Sequence, residues 1–256
     1  MTRKALIILA SALSACATPG MAGQSSAGGA PEEAQAMGLA SFETLMAMTS
    51  PAVPVADAAW TSALARDRKT VYLTFDDGPR PHATENVLDI LDDEGVRATF
   101  FLVGKKAVVH PEIVQEIVRR GHTIGNHTYM HMMPWGKNRK IYVEDALKNR
   151  KLLEELAGAP VPLFRPPGGN LRMIGEIGKA GMKPVLWTTL SGDCAEGKAP
   201  AYLKGVISLQ EERRPIFHYP MIVLMHDPST RTAEALPKII AYFRKNAYRF
   251  SADWDD

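Results

Sequence analysis

Two adjacent carboxylates, Asp76 and Asp77, precede Gly78-Pro79 in a segment, residues 74–79, that directly follows a short apolar segment at residues 71–73. Such an apolar segment predicts a buried strand, and a Gly-Pro pair predicts a turn. We therefore expect both carboxylates at the C-terminal end of a strand, where parallel α/β enzymes place their reacting groups. Because Asp-Asp-Gly is also a common solvated turn, the pair becomes informative only together with the polar groups that follow it.

Two histidines, His127 and His131, are four residues apart and follow another predicted strand. On a helical turn, residues i and i+4 share a face, so both imidazoles could reach one ion. A carboxylate from Asp77 would complete three protein ligands with one position left open, which is typical of catalytic zinc sites. The same spacing is common among surface histidines, which is the alternative interpretation.

Three further polar residues, Arg165, Asp193 and His226, each end or directly follow a predicted strand or lie a few residues beyond it. Arg165 precedes Pro-Pro-Gly-Gly and suits a bidentate contact with a carboxylate. Asp193 and His226 are the types of residue in which a carboxylate orients an imidazole and raises its pKa, as a general acid requires. Each has a simpler alternative on its own: a solvated arginine in a turn, or a structural histidine.

Strands and helices alternate from residue 69 onward, which predicts an α/β fold whose parallel sheet is closed, or nearly closed, into a barrel. The predicted strands cover residues 71–75, 98–103, 123–126, 163–165, 185–189, 222–225 and 248–250. The predicted helices cover residues 84–94, 111–120, 141–156, 171–180, 200–213 and 232–246.

The N-terminal part of the 256-residue chain resembles a lipoprotein leader. Arg3-Lys4 and a short apolar segment predict a signal peptide at residues 1–15, and residues 13–16 resemble a lipobox. Lipidation of Cys16 would anchor the protein at the cell envelope, at the outer membrane in a Gram-negative cell, because Ala17 follows; the alternative is ordinary cleavage after Ala17. We expect residues 16–65 to form a linker with short helices, and residues 66–256 to form the domain that carries the candidate catalytic groups.

The charge content of the chain bears on its binding partners, and its cysteine content bears on disulfide bonds. Without Arg3 and Lys4, 28 basic and 28 acidic residues remain, which argues against nucleic acid as a partner. Cys194 is the second of two cysteines, so lipidation of Cys16 would exclude an intrachain disulfide.

Taken in order, the segments around Asp76, His127, Arg165, Asp193 and His226 resemble polysaccharide deacetylases with a NodB homology domain (carbohydrate esterase family 4). The resemblance covers residues 69–250. It implies a distorted (β/α) barrel of about seven parallel strands and metal-dependent removal of acetyl groups from an acetylated polysaccharide. It implies these roles: Asp76 as general base; Asp77, His127 and His131 as metal ligands; Arg165 as the group that orients Asp76; Asp193 as the support of the general acid His226; and Pro167, Gly168, Gly169 and Leu224 as substrate or oxyanion contacts.

The ion implied by the resemblance is divalent, with Zn²⁺ expected and Co²⁺ or Ni²⁺ as alternatives. Two motifs depart from the family pattern: in one, Gly168 replaces a tyrosine, and in the other, Leu190 and Cys194 replace an aspartate and a tryptophan. We expect these changes to open or reshape the acceptor pocket. The expected substrate is an N-acetylated amino-sugar polymer; the alternatives are O-acetyl removal from a glycan such as xylan and a non-catalytic glycan-binding lipoprotein.

Overall fold

The computed structural model describes residues 69–133, 139–191, 193 and 221–254. The predicted leader, the linker and the helix at residues 200–213 lie outside these residues, as do Cys16 and Cys194. The domain boundaries therefore stay predictions.

The described strands form one parallel sheet around a central first strand. The strands are β1 (Thr70–Asp76), β2 (Thr99–Leu102), β3 (Thr123–Asn126), β4 (Leu163–Phe164), β5 (Lys183–Pro184), β6 (Thr189–Leu190), β7 (Met221–His226) and β8 (Arg249–Phe250). Their order is β5-β4-β3-β2-β1-β7-β6, and β8 pairs with the start of β1. Since β5 and β6 end this order, the described sheet is open between them. It has the form of a curled half-barrel, which confirms the predicted α/β fold class.

Helices follow most strands, as parallel pairing requires. They are α1 (Ala83–Asp93), α2 (Gly104–Ala107), α3 (Pro111–Arg119), α4 (Arg139–Ala157), α5 (Ile174–Lys179) and α6 (Thr230–Lys245), with 3₁₀ turns at Pro167–Gly169 and Leu171–Met173. Within the described residues, no helix combines the length and apolar character needed to cross a membrane.

Alternation along β1 separates the core from the site, because successive side chains of a strand point to opposite faces. Val71, Leu73 and Phe75 join the main buried apolar cluster, to which α1, α3 and α6 contribute. Tyr72 faces the inside of the half-barrel, where it packs against the Trp254 ring at 4.4 Å between centroids. Asp76, two pleats beyond Tyr72, is therefore on the inner face.

The predicted strand at residues 185–189 is wrong, because this segment divides between two sheet positions. Lys183–Pro184 pairs with β4, whereas Thr189–Leu190 pairs with β7 at the other end of the sheet. Between them, the carbonyls of Val185 and Leu186 accept hydrogen bonds from Arg165 rather than from a neighbouring strand. The predicted helix at residues 171–180 begins as a 3₁₀ turn, and α2 was not predicted.

Candidate active site

Asp76 ends β1 as a buried carboxylate that is 3% exposed. The guanidinium of Arg165, which is fully buried, donates from Nη1 to Asp76 Oδ1 at 2.8 Å and to Thr74 Oγ1 at 2.7 Å. Arg165 is held in turn by the carbonyls of Val185 and Leu186 and stacks 4.0 Å from the centre of the Phe101 ring. One oxygen of Asp76 is thus fixed, and the other, Oδ2, lies 3.8 Å from His127 Nε2.

Phe101 reaches this position because Gly125 on the next strand leaves room for it. A β-carbon at Gly125 would overlap the Phe101 ring. Since the ring supports the guanidinium of Arg165, the glycine contributes indirectly to the placement of Asp76.

Asp77 leaves the strand and faces the two predicted metal-binding histidines. Its backbone has φ 72°, in the left-handed region, which turns its carboxylate away from the direction expected for a continuing strand. Asp77 Oδ1 lies 3.0 Å from His131 Nε2 and 3.5 Å from His127 Nε2. Burial acts to raise the pKa of Asp77, but the hydrogen bonds and charges of the two histidines hold it well below its usual range.

The carboxylate and the two imidazoles form a cluster suited to a divalent metal ion. One ligand atom from each of Asp77, His127 and His131 lies within 4.8 Å of the others. For metal–ligand bonds of about 2.0–2.1 Å, tetrahedral ligand atoms are about 3.3 Å apart, close to the two distances measured from Asp77. His127 Nδ1 lies 2.7 Å from the Arg165 carbonyl, which can only accept; Nδ1 therefore carries a proton, and Nε2 is the nitrogen left to bind an ion.

The two histidines meet on a loop and not on the predicted helical turn. Residues 127–133 contain no helix. Thr128 and His131 lie in the left-handed region of backbone conformation, with φ angles of 63° and 56°. Asp145 Oδ2 accepts hydrogen bonds from the backbone N–H groups of Tyr129 and Met130 at 2.7 and 3.1 Å. The two imidazoles converge because this loop is folded back and held from α4, and their ring centres are 5.1 Å apart.

Sequence reasoning missed the polar residues that support this loop. Asn149 Nδ2 donates to the Leu102 carbonyl and to Asn126 Oδ1, and the same oxygen of Asn126 accepts the Thr128 N–H. A signal for Asp145 and Asn149 was present, because both lie on the buried face of α4 beside Tyr142, Ala146 and Leu153. Polar side chains on an otherwise apolar helix face need buried partners.

His226 ends β7, directly opposite Asp76 in the register of β1 and β7. Its ring Nδ1 lies 3.1 Å from Asp193 Oδ1, and its backbone N–H donates to Asp193 Oδ2 at 2.6 Å. Ser191 and Thr232 donate to the same carboxylate at 2.8 and 2.6 Å. Asp193 is therefore a fully satisfied buried anion that fixes Nδ1 as a donor and leaves Nε2 as the nitrogen available for proton transfer.

Electrostatics keep the His226 ring protonated at neutral pH. Burial favours the neutral ring, but the charge and hydrogen bond of Asp193, with the charges of Asp76 and Asp77, raise the pKa of His226 to about 9. The pKa of Asp193 is lowered: burial opposes this direction, while the charge of His226 and hydrogen bonds from His226, Thr232 and Ser191 outweigh it. A protonated imidazole beside a buried carboxylate is suited to donating a proton.

The predicted substrate-side residues lie on the same edge of the sheet. Pro167, Gly168 and Gly169 form the 3₁₀ turn after β4, and Leu224 lies on β7 two residues before His226. Gly168 has φ 61°, and a β-carbon there would lie 2.6 Å from Met133 Cε. Met133 therefore covers part of the space that the replacement of the family's tyrosine by Gly168 was expected to open. The side chains of Leu190 and Cys194 lie outside what the structure describes.

The sequence of this chain is similar to those of known proteins. The polysaccharide deacetylase family model matches residues 63–185. A peptidoglycan-N-acetylglucosamine deacetylase of Bacillus cereus is 32% identical over 197 residues, 74% of this chain and 89% of the relative. A chitooligosaccharide deacetylase of Azorhizobium caulinodans is 30% identical, over 64% of this chain and 76% of the relative.

The fold also matches solved structures. A Streptococcus mutans CE4 esterase superposes with a TM-score of 0.68 at 26% identity, covering 76% of this chain and 90% of that structure. The chain is therefore similar to these proteins over most of the described residues. One edge of its curled parallel sheet carries Asp76, Asp77, His127, His131 and His226. The chain belongs to the polysaccharide deacetylase family.

Proposed function

We propose that this protein is a metal-dependent deacetylase that removes N-acetyl groups from N-acetylglucosamine units of peptidoglycan or a chitin-like oligosaccharide. The observation that carries the proposal is that two adjacent carboxylates contact different partners. Asp76 is held by Arg165, and Asp77 faces His127 and His131. The names of the B. cereus and A. caulinodans relatives support the substrate class.

The ligand set of Asp77, His127 and His131 fits Zn²⁺, with Co²⁺ and Ni²⁺ as alternatives, because imidazole and carboxylate suit all three. A divalent ion held there would supply Lewis acidity, lowering the pKa of a water from about 15.7 towards 7 and polarising the acetyl carbonyl. The chain contributes the position of the ligands and the proton transfers around them.

Asp76 acts as the general base in this proposal. Its Oδ1 is occupied by Arg165, so the water's proton is accepted at Oδ2, the oxygen on the side of His127. The oxygen of that water attacks the acetyl carbonyl carbon. Because Arg165 is buried and bonded to two backbone carbonyls, Asp76 keeps one orientation throughout.

His226 acts as the general acid. An amine is a poor leaving group, so the C–N bond breaks as Nε2 donates its proton to the sugar nitrogen, giving acetate and the free amine. Asp193 stabilises the imidazolium before transfer. A backbone N–H near Gly168 is our candidate for contact with the developing oxyanion.

Acetate release from three substrates tests the proposal. The purified full-length protein is incubated with chitooligosaccharide, peptidoglycan and acetylated xylan, with and without chelator. We expect chelator-sensitive release from the two N-acetylated substrates. Release from xylan alone would favour O-acetyl esterase activity, and no release from any substrate by the zinc-loaded protein would favour a non-catalytic glycan-binding role.

Replacing Asp193 by Asn is expected to move the alkaline limb of the pH profile of kcat/KM to lower pH. The protonated acid is present below the pKa of His226, about 9, and is lost above it. Removing the negative charge of Asp193 lowers that pKa, so activity declines at a lower pH by about one unit or more.

The control for this prediction is Thr232→Val, which removes a hydrogen bond to Asp193 but keeps its charge. It should leave the alkaline limb close to that of the wild type. If Asp193→Asn and the wild type share the same alkaline limb, His226 is not the acid that this limb reports.

We also propose that lipid at Cys16 anchors the protein at the cell envelope, at the outer membrane if the cell is Gram-negative. The leader and the lipobox-like residues 13–16 support this location. The test is metabolic labelling with an alkyne fatty acid followed by membrane fractionation. Wild type should carry label and sediment with membranes, whereas Cys16→Ala should do neither; equal behaviour of the two would contradict the anchor.

A further inference from the structure

Asp227 is a fully buried carboxyl group that the proposed mechanism does not use. It follows the general acid His226 at the end of β7. Its Oδ2 accepts a hydrogen bond from Thr84 Oγ1, while Oδ1 has no hydrogen-bond partner among the described residues. Because a buried, partly unsatisfied carboxyl group is costly, its presence calls for a physical explanation.

The explanation lies in what Asp227 touches. Strands β1 and β7 place Asp76 opposite His226, so Asp77 and Asp227 are the next residues on the two strands. The Asp227 carboxylate lies directly against Gly78, where any β-carbon would overlap it. Asp227 therefore packs against the turn one residue beyond the metal ligand Asp77.

This turn needs support because Asp77 has an unfavourable backbone conformation. A φ of 72° is uncommon for a residue with a side chain and persists only where the surroundings determine it. From one side, Lys106 Nζ donates to the Asp77 carbonyl, and the Val103 N–H donates to the Gly78 carbonyl at 2.8 Å. Both of these contacts come from residues that follow β2.

The opposite side of the turn is held through Asp227. The Arg80 N–H donates to Thr84 Oγ1 at 2.8 Å, and the Thr84 hydroxyl donates in turn to Asp227. A chain of two hydrogen bonds thus joins the end of the turn to β7. Asp227 is the member of this chain that contacts Gly78 directly.

We propose that Asp227 is a positioning residue that fixes the turn at residues 77–79 against β7, and so holds the metal ligand Asp77 in register with the general acid His226. The inference rests on the proposed function, because it assumes that Asp77 binds the ion. Asp227 acts through Gly78 and Thr84 and contacts neither substrate nor ion in this proposal.

The test is the affinity of the metal-free full-length protein for Co²⁺ and Zn²⁺, measured by titration calorimetry. Asp227→Ala should bind about 10–100-fold more weakly than the wild type, the range found when residues that orient metal ligands are changed. Asp227→Asn should stay close to the wild type, because its side chain fills the same space and can still accept from Thr84. Wild-type affinity in a folded Asp227→Ala variant would overturn the proposal.

A second pair of variants covers the case in which Asp227→Ala does not fold. Thr84→Val removes the hydroxyl that donates a hydrogen bond to Asp227. Thr99→Val is the matched control, because it makes the same change at another fully buried threonine, at the N-terminal end of β2. We expect Thr84→Val to weaken metal binding and Thr99→Val to leave it unchanged. Equal affinities for these two variants would overturn the positioning role.

The outcome separates this inference from the proposed function. Acetate release by the wild type tests the proposed function, whereas the metal affinity of the variants tests the role of Asp227. If the wild type binds metal but releases no acetate, a weaker affinity of Asp227→Ala still supports the positioning role. If the wild type binds no metal, both proposals fail.

Discussion

Replacing Asp76 by Asn is expected to lower kcat for acetate release by about 10²–10⁴-fold, the usual contribution of a general base. The substitution keeps the shape of the side chain, and the Asn oxygen can still accept from Arg165 Nη1. The group that takes Oδ2's place cannot accept a proton from water. We therefore expect KM and bound metal to stay near wild-type values while turnover is lost, as measured by steady-state kinetics and metal content.

Stability must be measured beside activity for this variant. Asn leaves the buried Arg165 guanidinium without its anion, and breaking a buried ion pair costs about 3–5 kcal/mol. Thermal unfolding shows whether the variant is folded at the assay temperature. Asp92→Asn is the matched control, because Asp92 also accepts from an arginine, Arg120, at 2.8 Å, but on the surface. Retention of more than about a tenth of wild-type kcat by Asp76→Asn would exclude Asp76 as the base.

Removing the metal is expected to abolish acetate release and to lower the melting temperature. Asp77, His127 and His131 bring one anion and two imidazoles together, an arrangement that an ion stabilises and that costs energy without it. At a free zinc concentration 100 times Kd, binding should add about 2.7 kcal/mol to the free energy of unfolding. Activity and melting temperature after treatment with chelator, and after zinc is restored, check both effects.

A chelator saturated with zinc beforehand is the control for that experiment, because it has the same chemical structure and no capacity to remove the ion. It should leave activity and melting temperature unchanged. Full activity in protein shown by elemental analysis to lack metal would contradict the proposed role of the cluster.

The sequence was sufficient to predict the site residues that lie at the ends of strands. Asp76 and His226 each end a strand of mainly apolar residues, and β1 and β7 extend over almost the same residues as predicted. The ends of parallel strands meet at one edge of the sheet, so the predicted groups on different strands come together without further information. The contacts between Arg165 and Asp76 and between Asp193 and His226 follow from this edge.

The residues that hold the site were harder to predict because their roles depend on contacts distant in sequence. The i, i+4 spacing of His127 and His131 indicated a helical turn, but buried Asp145 on α4 holds a loop with two left-handed residues instead. Asp227 gave no signal apart from its position after His226, since its role depends on Thr84, 143 positions earlier. The segment at residues 185–189 was predicted as one strand because of its apolar character. That character does not show that two of its carbonyls accept hydrogen bonds from Arg165 instead of pairing with a strand.

The most direct test of the different roles of the two carboxylates is a metal titration of Asp76→Asn and Asp77→Asn beside the wild type, with acetate release measured on the same samples. We predict that Asp76→Asn binds one ion with wild-type affinity and that Asp77→Asn loses more affinity than the roughly 10–100-fold typical of residues that only support a ligand. Both variants should release acetate at least about 10²-fold more slowly than the wild type. Equal loss of metal in the two variants, or more than about a tenth of wild-type kcat in Asp76→Asn, would contradict the separation of base and ligand between Asp76 and Asp77.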